Sequence, residues 1–359
     1  MLQFAVRRLL SSIPVLLGIL IVTFALARLI PGDPCRAMLG EKATAATCER
    51  FMRENGLDRP IYVQFGIYMA RVLQGDFGDS IRFSRPVSLI LAERLPMTIE
   101  LSLTALTLAV VVGIPIGILA AMRHNSTTDV ATMVGANIGV SMPVFWLGLM
   151  LAYVFALLLR DTPFWLPPSG RLAAGLSATP FFRVYGLYID PATPLYKVLS
   201  FFSNFYIFNS IITANWVVLK DTIRHLILPS VALSTIPMAI IARLTRSSLL
   251  EVLGREYVRA ARAKGVPHRT VIGKHALRNA LLPVVTIIGL SLGSLLSGAV
   301  LTETIFGLAG VGRALFEAIT ARDYPIIQGF TLVVAVGYVL INLLVDISYT
   351  YLDPRVRLE

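Results

Sequence analysis

The chain has 359 residues, of which 56% are hydrophobic and only 15% are charged, and its mean hydropathy is +0.73. Soluble domains carry charge on about a quarter of their residues, so this composition argues against a soluble protein and indicates a bilayer environment. The net charge of +11 is compatible with nucleic-acid binding, but in a membrane protein excess Lys and Arg mark the cytoplasmic loops, which is the interpretation we favour.

Six stretches are apolar and exceed the roughly 17 residues that a spanning helix needs. Several contain proline, which membrane helices tolerate because neighbouring helices satisfy the freed carbonyl groups. The sequence therefore predicts an all-α integral membrane protein with six transmembrane helices and large outer-face loops. The predicted spans are 9–30, 99–122, 130–159, 226–249, 281–305 and 326–349.

The first stretch also has features of a secretory signal peptide. Arg7 and Arg8 precede it, and the segment 25–27 (Ala-Leu-Ala) imitates a cleavage site. Its apolar run is longer than the usual core of about 7–15 residues, and Arg28 follows the site directly. We therefore expect an uncleaved first helix.

The segment 31–96 follows, with nine basic against eight acidic residues, so its charge has little power over orientation. It contains both cysteines of the chain, Cys35 and Cys48. A disulfide between them is plausible if the segment lies in an oxidising compartment. Two free thiols remain the alternative, because sequence does not show whether their Cα atoms lie within about 7 Å of each other.

Polar residues inside the later spans are candidates for a translocation path or for helix packing. Three serines of the fifth span alternate with Gly289, Gly293 and Gly298, a pattern typical of closely packed membrane helices, so we favour packing there. Glu303 and Asp346 lie near span ends, where we expect exposure. The candidate residues are Asn137, Ser141, Ser234, Ser291, Ser294 and Ser297.

Between the third and fourth spans lies a long segment without a clear spanning helix. Residues 165–194 are rich in proline and glycine and predict an irregular loop. Residues 197–219 are apolar enough to suggest a seventh span, but they include Asn204, Asn209 and Asn215. A seventh span would also move the following basic residues outside, so we interpret this segment as an interfacial or re-entrant element of the outer face.

The basic loop (251–280) follows the fourth span, with seven basic against two acidic residues, a balance of +5. With Arg7, Arg8 and Arg123, this charge places both termini and the basic loop in the cytoplasm. Residues 251–264 predict a helix supported by acid–base pairs, Gly265 predicts its end, and a second helical pattern covers 268–280. A lipid anchor needs no such break, whereas a rigid element fitted to a partner's groove does.

The sequence contains no phosphate-binding loop, no dinucleotide fingerprint and no C-x-x-C or H-E-x-x-H metal motif. The four histidines lie near span ends or in the basic loop, where interfacial roles are the usual ones. We therefore expect no cofactor, no metal and no catalytic activity in this chain. Energy for transport against a gradient would have to enter from another protein.

The segments EYVRAARAKG (256–265) and HALRNALLPVV (275–285) resemble the cytoplasmic loop of binding-protein-dependent ABC importer permeases, most closely the dipeptide/oligopeptide/nickel branch. That loop has Glu-Ala-Ala, three residues, Gly and a later Leu-Pro; here Arg259 stands where the wider superfamily has Glu, and the spacer is longer. Both departures resemble the peptide branch. Similar stretches include RRLLSSIPVLLGILIVTFALARLIPGDP, ERLPMTIELSL, SMPVFWLG and GAVLTETIFGLAGVGR, and only about 172–222 stands apart.

The resemblance implies a type I ABC importer-like permease for dipeptides or oligopeptides in the inner membrane of a prokaryote. It implies a homologous second permease, two cytoplasmic ATPase subunits that bind ATP and Mg²⁺, and an external substrate-binding protein. The chain would be one permease domain: 1–96 with the first helix and outer segment, 97–305 with the core, and 306–359 with the last helix and tail. The residues implied for ATPase coupling are Glu256, Tyr257, Arg259, Ala260, Ala261, Lys264 and Gly265.

Other functions share parts of this sequence pattern. A self-contained secondary transporter usually has internal repeats and ionisable residues at mid-membrane, neither of which is evident in this sequence. An importer of nickel chelates or other small solutes would share the same motifs. A nucleic-acid-binding membrane protein would use the basic loop and bind in a salt-sensitive way.

Overall fold

The structure is a computed structural model that describes residues 2–29, 35, 43–54, 58–191 and 193–352. Within these ranges the regular structure is helical, apart from one isolated bridge between Asp79 and Pro86. Two π-helical turns, Tyr153–Leu158 and Val271–Ala276, extend neighbouring helices. The helices are α1 (Leu2–Leu29), α2 (Ala45–Glu54), α3 (Ile61–Leu73), α4 (Val87–Met122), α5 (Thr127–Ser141), α6 (Val144–Ala152), α7 (Phe181–Val184), α8 (Pro194–Ser203), α9 (Tyr206–Ile212), α10 (Trp216–Leu253), α11 (Glu256–Ala263), α12 (His268–Thr270), α13 (Leu277–Ala280), α14 (Leu282–Gly298), α15 (Val300–Ile305), α16 (Val311–Ala321) and α17 (Tyr324–Leu352).

The two longest helices, α4 with 36 residues and α10 with 38, lie along each other at the centre of the fold. Their close approach depends on Gly113 and Gly117. A Cβ atom at Gly117 would lie 2.5 Å from the carbonyl oxygen of Ala242, and one at Gly113 would lie 2.8 Å from that of Met238. Backbone therefore meets backbone without an intervening side chain, as small residues allow in membrane helices.

In the described part of the chain, four helices, α1, α4, α10 and α17, are long and apolar enough to cross a membrane. Two bent pairs bring the number to as many as six if each pair is one span. The predicted span 130–159 is one of these pairs: α5 and α6 meet at 99° instead of forming one straight helix. Pro143 explains the break, because it forces the preceding Met142 into an extended conformation, with ψ 127°.

The fifth predicted span, 281–305, is also interrupted. It comprises α14 and α15, which are separated at Ala299, and α14 meets the preceding helical segment His268–Ala280 at 50°. The predicted helix 251–264 is likewise divided, since α10 ends at Leu253 and α11 begins at Glu256. Gly254 caps α10 between them, which agrees with the low helix propensity of glycine.

The first and last helices pack together at one side of the fold. Near one end of this contact, Arg8 donates from Nε to Asp346 Oδ2 over 2.6 Å. We expected Asp346 to be exposed near a span end; its side chain is 22% exposed and is paired with Arg8. Helix α14 also packs closely against α17. Cβ atoms at Gly289 and Gly293 of α14 would lie 2.1 Å from Val345 and 2.7 Å from Tyr338, respectively.

Among the described residues of the predicted irregular loop 165–194, the helical residues are those of the short helix α7 and Pro194, which begins α8. Residues 197–219 fall into α8, α9 and the start of α10, so no helix of spanning length begins and ends within them. A buried ion pair holds the insertion (residues 165–219, between the third and fourth predicted spans) on α4: Arg171 Nη2 lies 2.6 Å from Glu100 Oε2. Glu100 also accepts the N–H of Ile207 at 2.7 Å, and the Arg171 guanidinium covers the ring of Tyr206.

In the segment between α1 and α4, the structure joins Cys35 and Cys48 by a disulfide with Cα atoms 5.3 Å apart. The bridge links Cys35 to α2. Farther along, α3 lies against α1 through the rings of Phe65 and Tyr68, which pack on Phe24. These contacts tie the segment to the first helix.

Replacing Gly117 with Ala tests the α4–α10 contact. We expect the midpoint of thermal unfolding in detergent to fall by several degrees, because the new methyl group meets the backbone oxygen of Ala242, which cannot rotate away. The matched control is Gly135→Ala in α5, where a Cβ has no heavy atom within 4 Å. It should leave the midpoint unchanged or raise it, since Ala favours helix by about 1 kcal/mol over Gly. Equal midpoints for the two variants would contradict the close contact.

Candidate functional site

The basic loop connects α10 to α14 and contains a short helix, a turn and a second helical segment. Helix α11 has eight residues and ends at Ala263; Lys264 is its C-cap residue, and Gly265 follows with φ +73°. The N–H of Gly265 donates to Arg262 O at 3.0 Å and that of Val266 to Ala261 O at 3.3 Å, which closes the helix end. The predicted helix end at Gly265 is therefore confirmed.

One face of α11 packs against its own loop. Val258 and Val271 are fully buried and Ala261 is 9% exposed, and they form a small cluster with Val252, Leu253 and Val266. Tyr257 adds a polar contact, since its hydroxyl accepts a hydrogen bond from Asn279 Nδ2 at 2.8 Å. The loop is thus a packed unit rather than an extended basic tail.

The other face of α11 is exposed and presents most of the predicted coupling residues. Ala261 is the exception: its small side chain packs in the internal cluster and is not on the exposed face with the other residues implied for coupling. Its neighbour Ala260 is exposed. The predicted residues on the exposed face are Glu256, Tyr257, Arg259, Ala260, Lys264 and Gly265.

The loop rests on the ends of the two central helices. Ala276 and Ala280 of the loop are buried with Ala121 of α4 and Leu249 of α10, all at most 3% exposed. Small side chains at these points bring the helical segments close. Packed side chains therefore connect the basic loop to the ends of α4 and α10.

A second contact near the same end was missed by the sequence analysis. Arg246 of α10 donates from Nε and Nη2 to the two carboxylate oxygens of Asp129, at 2.6 and 2.8 Å. Asp129 also accepts the N–H of Asn125 at 3.0 Å, and its own N–H donates to the cap residue Ser126 at 3.3 Å. Ser126 three residues before Asp129 was the available signal, but nothing in sequence pointed to Arg246 as the partner.

The candidate path residues do not converge on one site within the chain. Asn137 and Ser141 are exposed on α5, and Ser141 donates to the Asn137 carbonyl at 2.9 Å. Ser234 is fully buried in α10. In α14, Ser291 is buried, whereas Ser294 and Ser297 are exposed and bond to carbonyls of their own helix.

The predicted packing role of the fifth span applies to part of its small residues. Gly289 and Gly293 contact α17, while a Cβ at Gly298 would have no heavy atom within 4 Å. In the part of the chain that the structure describes, no group of three His, Cys, Asp or Glu side chains is arranged to hold a metal ion. The basic loop is therefore the most completely built candidate for a functional contact.

Comparisons with known proteins identify the family. Residues 113–358 match the family described as binding-protein-dependent transport system inner membrane component, and residues 1–104 match the N-terminal region of such membrane components. The chain is 46% identical to a dipeptide transport system permease protein, DppB, of Alkalihalophilus pseudofirmus, across 99% of this chain and 100% of that protein. It is 42% identical to the DppB of Escherichia coli K12, across 99% of both chains.

A further relative is the probable D,D-dipeptide transport system permease protein DdpB of Escherichia coli K12, 40% identical across 95% of this chain and 94% of that one. The chain belongs to the family of inner-membrane permease components of binding-protein-dependent transport systems. Members of this family are membrane components and not themselves the catalytic part of the transporter. The resemblance found in the sequence motifs is thereby confirmed.

The Asp129–Arg246 pair can be tested at the end of α10 that adjoins the basic loop. Asp129→Asn removes the charge from a side chain that is only 4% exposed, so we expect a lower midpoint of thermal unfolding. Arg246→Lys should have a smaller effect, since Lys keeps the charge but not the two parallel hydrogen bonds. The control is Glu251→Gln, whose partner Arg255 is 61% exposed, and it should leave the midpoint unchanged. If Glu251→Gln lowers the midpoint as much as Asp129→Asn does, charge removal alone explains the change.

Proposed function

We propose that this chain is a permease subunit of an ATP-driven importer of dipeptides in the plasma membrane of a prokaryote. The observation that carries the proposal is near full-length identity of 40–46% with permeases named for dipeptide transport. The compact basic loop supports it, because α11 has a buried face seated on its own chain and an exposed face available to a partner. Peptides of other lengths and nickel chelates are the competing substrates within the branch.

We propose six spans with both termini in the cytoplasm. Counting each bent pair as one span gives this number. The positive charge of the basic loop favours a position on the cytoplasmic side of the membrane. The bridge between Cys35 and Cys48 favours an oxidising compartment for the segment after α1, which is the opposite side. The basic loop and the disulfide, which involve different residues, favour the same orientation.

The partners follow from this arrangement. The exposed face of α11 would seat in a groove on an ATPase subunit, and nucleotide-driven closure would move α11 and, through the cluster of Ala121 and Leu249, the central helices. A second, homologous permease would cover exposed polar residues of the spans such as Asn137 and Ser141, which are unfavourable against lipid. A substrate-binding protein would deliver the dipeptide to the outer face.

Purified alone, the chain should hydrolyse no ATP. Reconstituted in proteoliposomes with its second permease, ATPase subunits and binding protein, it should take up a radiolabelled dipeptide only when ATP is inside. Unlabelled dipeptides should compete, whereas free amino acids and nickel chelates at the same concentration should not. Uptake without the ATPase subunits would support the secondary-transporter alternative and reject the proposal.

Gly265 tests the docking element. A non-glycine residue with positive φ costs about 1–2 kcal/mol, and more for a β-branched one, so Gly265→Val should distort the end of α11 and reduce co-purification of the ATPase subunits several-fold. The expected distortion comes from the backbone conformation and not from a steric clash, since a Cβ at Gly265 has no heavy atom within 4 Å. Gly265→Asn should retain more of the ATPase, because Asn tolerates this conformation better.

The matched control is Gly273→Val in the same loop, where a Cβ is equally free of neighbours but φ is not positive. This variant should keep the ATPase subunits bound. All variants should be present in the membrane fraction in equal amounts. If Gly265→Val and Gly273→Val behave alike, the left-handed turn is not required for docking.

A further inference from the structure

Glu303 is a carboxylate buried at the end of the fold remote from the basic loop. The sequence analysis expected it to be exposed, but it is 0% exposed. Its Oε1 accepts a hydrogen bond from Thr98 Oγ1 at 2.6 Å, and its Oε2 accepts one from the N–H of Arg313 at 2.9 Å. Thr98 in turn accepts the N–H of Val311 at 2.8 Å. The expectation failed because the chain after α15 folds back over the side chain.

The carboxylate occupies the N-terminus of α16, an 11-residue helix whose cap residue, Gly310, has no side chain to offer. Free N–H groups and the helix dipole favour an anion there. A Cβ at Gly310 would lie 2.3 Å from Glu303 Cδ, and one at Gly312 would lie 2.6 Å from Val300 Cα. The glycines therefore allow α16 to start directly on the carboxylate, and the fit excludes any larger residue.

These contacts connect elements that are distant in sequence. Glu303 belongs to α15, Arg313 to α16 and Thr98 to α4, so one carboxylate and one hydroxyl join the outer hairpin (residues 299–323) to α4. A cluster that includes Val87, Val311 and Phe330 adds apolar contact between α4, α16 and α17. Thr98 and Met122, at the far end of α4, are about 36 Å apart at 1.5 Å per residue.

We propose that Glu303 is a positioning residue that fixes the outer hairpin to α4, so that the hairpin moves with α4 when the basic loop is displaced. The proposal rests on the proposed function for its driving force. The basic loop packs on the ends of α4 and α10, and α4 reaches the hairpin through Thr98. Glu303 thereby couples the outer mouth of the permease to the ATPase end.

The first measurement uses the complete complex in nanodiscs, with the ratio of binding-protein-stimulated to basal ATP hydrolysis as the readout. Glu303→Gln and Thr98→Val should assemble and keep basal hydrolysis, but lose stimulation and dipeptide uptake per ATP at least fivefold. Thr98→Ser keeps the hydroxyl and should therefore keep both the stimulation and the dipeptide uptake per ATP. The control Glu317→Gln lies on the same helix α16 and is 24% exposed, and it should behave as the unaltered complex.

The second measurement needs neither transport nor partners. Spin labels at Leu103→Cys in α4 and Ile319→Cys in α16, both on exposed side chains, report the distance between α4 and the hairpin in this chain. Thr98→Val should broaden this distance distribution, and Thr98→Ser should keep it narrow. This variant also serves if Glu303→Gln fails to fold, since Val is nearly isosteric with Thr.

Two results would overturn the proposal and leave Glu303 a purely structural group. One is an unchanged distance distribution in Thr98→Val. The other is an unchanged stimulation ratio in assembled Glu303→Gln and Thr98→Val complexes. The same conclusion follows if Glu317→Gln loses stimulation equally. Failure of the proposed function is recognised separately: the unaltered complex would then take up no dipeptide, while the label distances would still report whether the hairpin is fixed to α4.

Discussion

The fold depends on the contact between α4 and α10, where Gly113 and Gly117 let two long helices touch through their backbones. In a bilayer, lipid tails solvate apolar side chains as well as other helices do, so association relies on close van der Waals contact. The contact brings the remaining parts into place: α14 and α15 pack beside the pair, the basic loop closes over one end, and the hairpin with α16 closes over the other. The central pair thus connects the basic loop at one end to the hairpin at the other.

Polar contacts then lock the ends of the central pair to their surroundings. Asp129 with Arg246 acts near the basic loop, Glu100 with Arg171 holds the insertion, and Glu303 with Thr98 holds the hairpin. All three carboxylates are at most 4% exposed. In a low-dielectric environment such groups are costly unless their hydrogen bonds are made, which makes each contact specific for one arrangement of the helices.

The sequence was sufficient for the helical class, for the position of most apolar helices and for the helix–glycine–helix order of the basic loop, because these depend on local composition and on glycine. It was insufficient at Met142–Pro143, where proline could be a tolerated kink or, as found, a bend of 99°. It also failed at Glu303 and at Ala261. Burial of Glu303 depends on contact with the distant helix α4, and no periodicity within its own segment encodes that partner. Ala261 is instead buried in a cluster with Val266 and Val271 of its own loop, which lie beyond the turn at Gly265.

The packing of α1 on α17 has a consequence for biogenesis. Arg8 and Asp346 are separated by 338 residues, and at about 5–20 residues per second the ribosome needs on the order of tens of seconds to a minute to supply the partner of the first helix. During that interval α1 contacts lipid and, through Phe24, the rings of α3, but not α17. A helix without its main partner has to be stable in the bilayer largely by itself. This agrees with an almost unbroken apolar surface from Leu9 to Leu26 and with polar groups that are small hydroxyls bonded to their own backbone, such as Ser12 and Thr23.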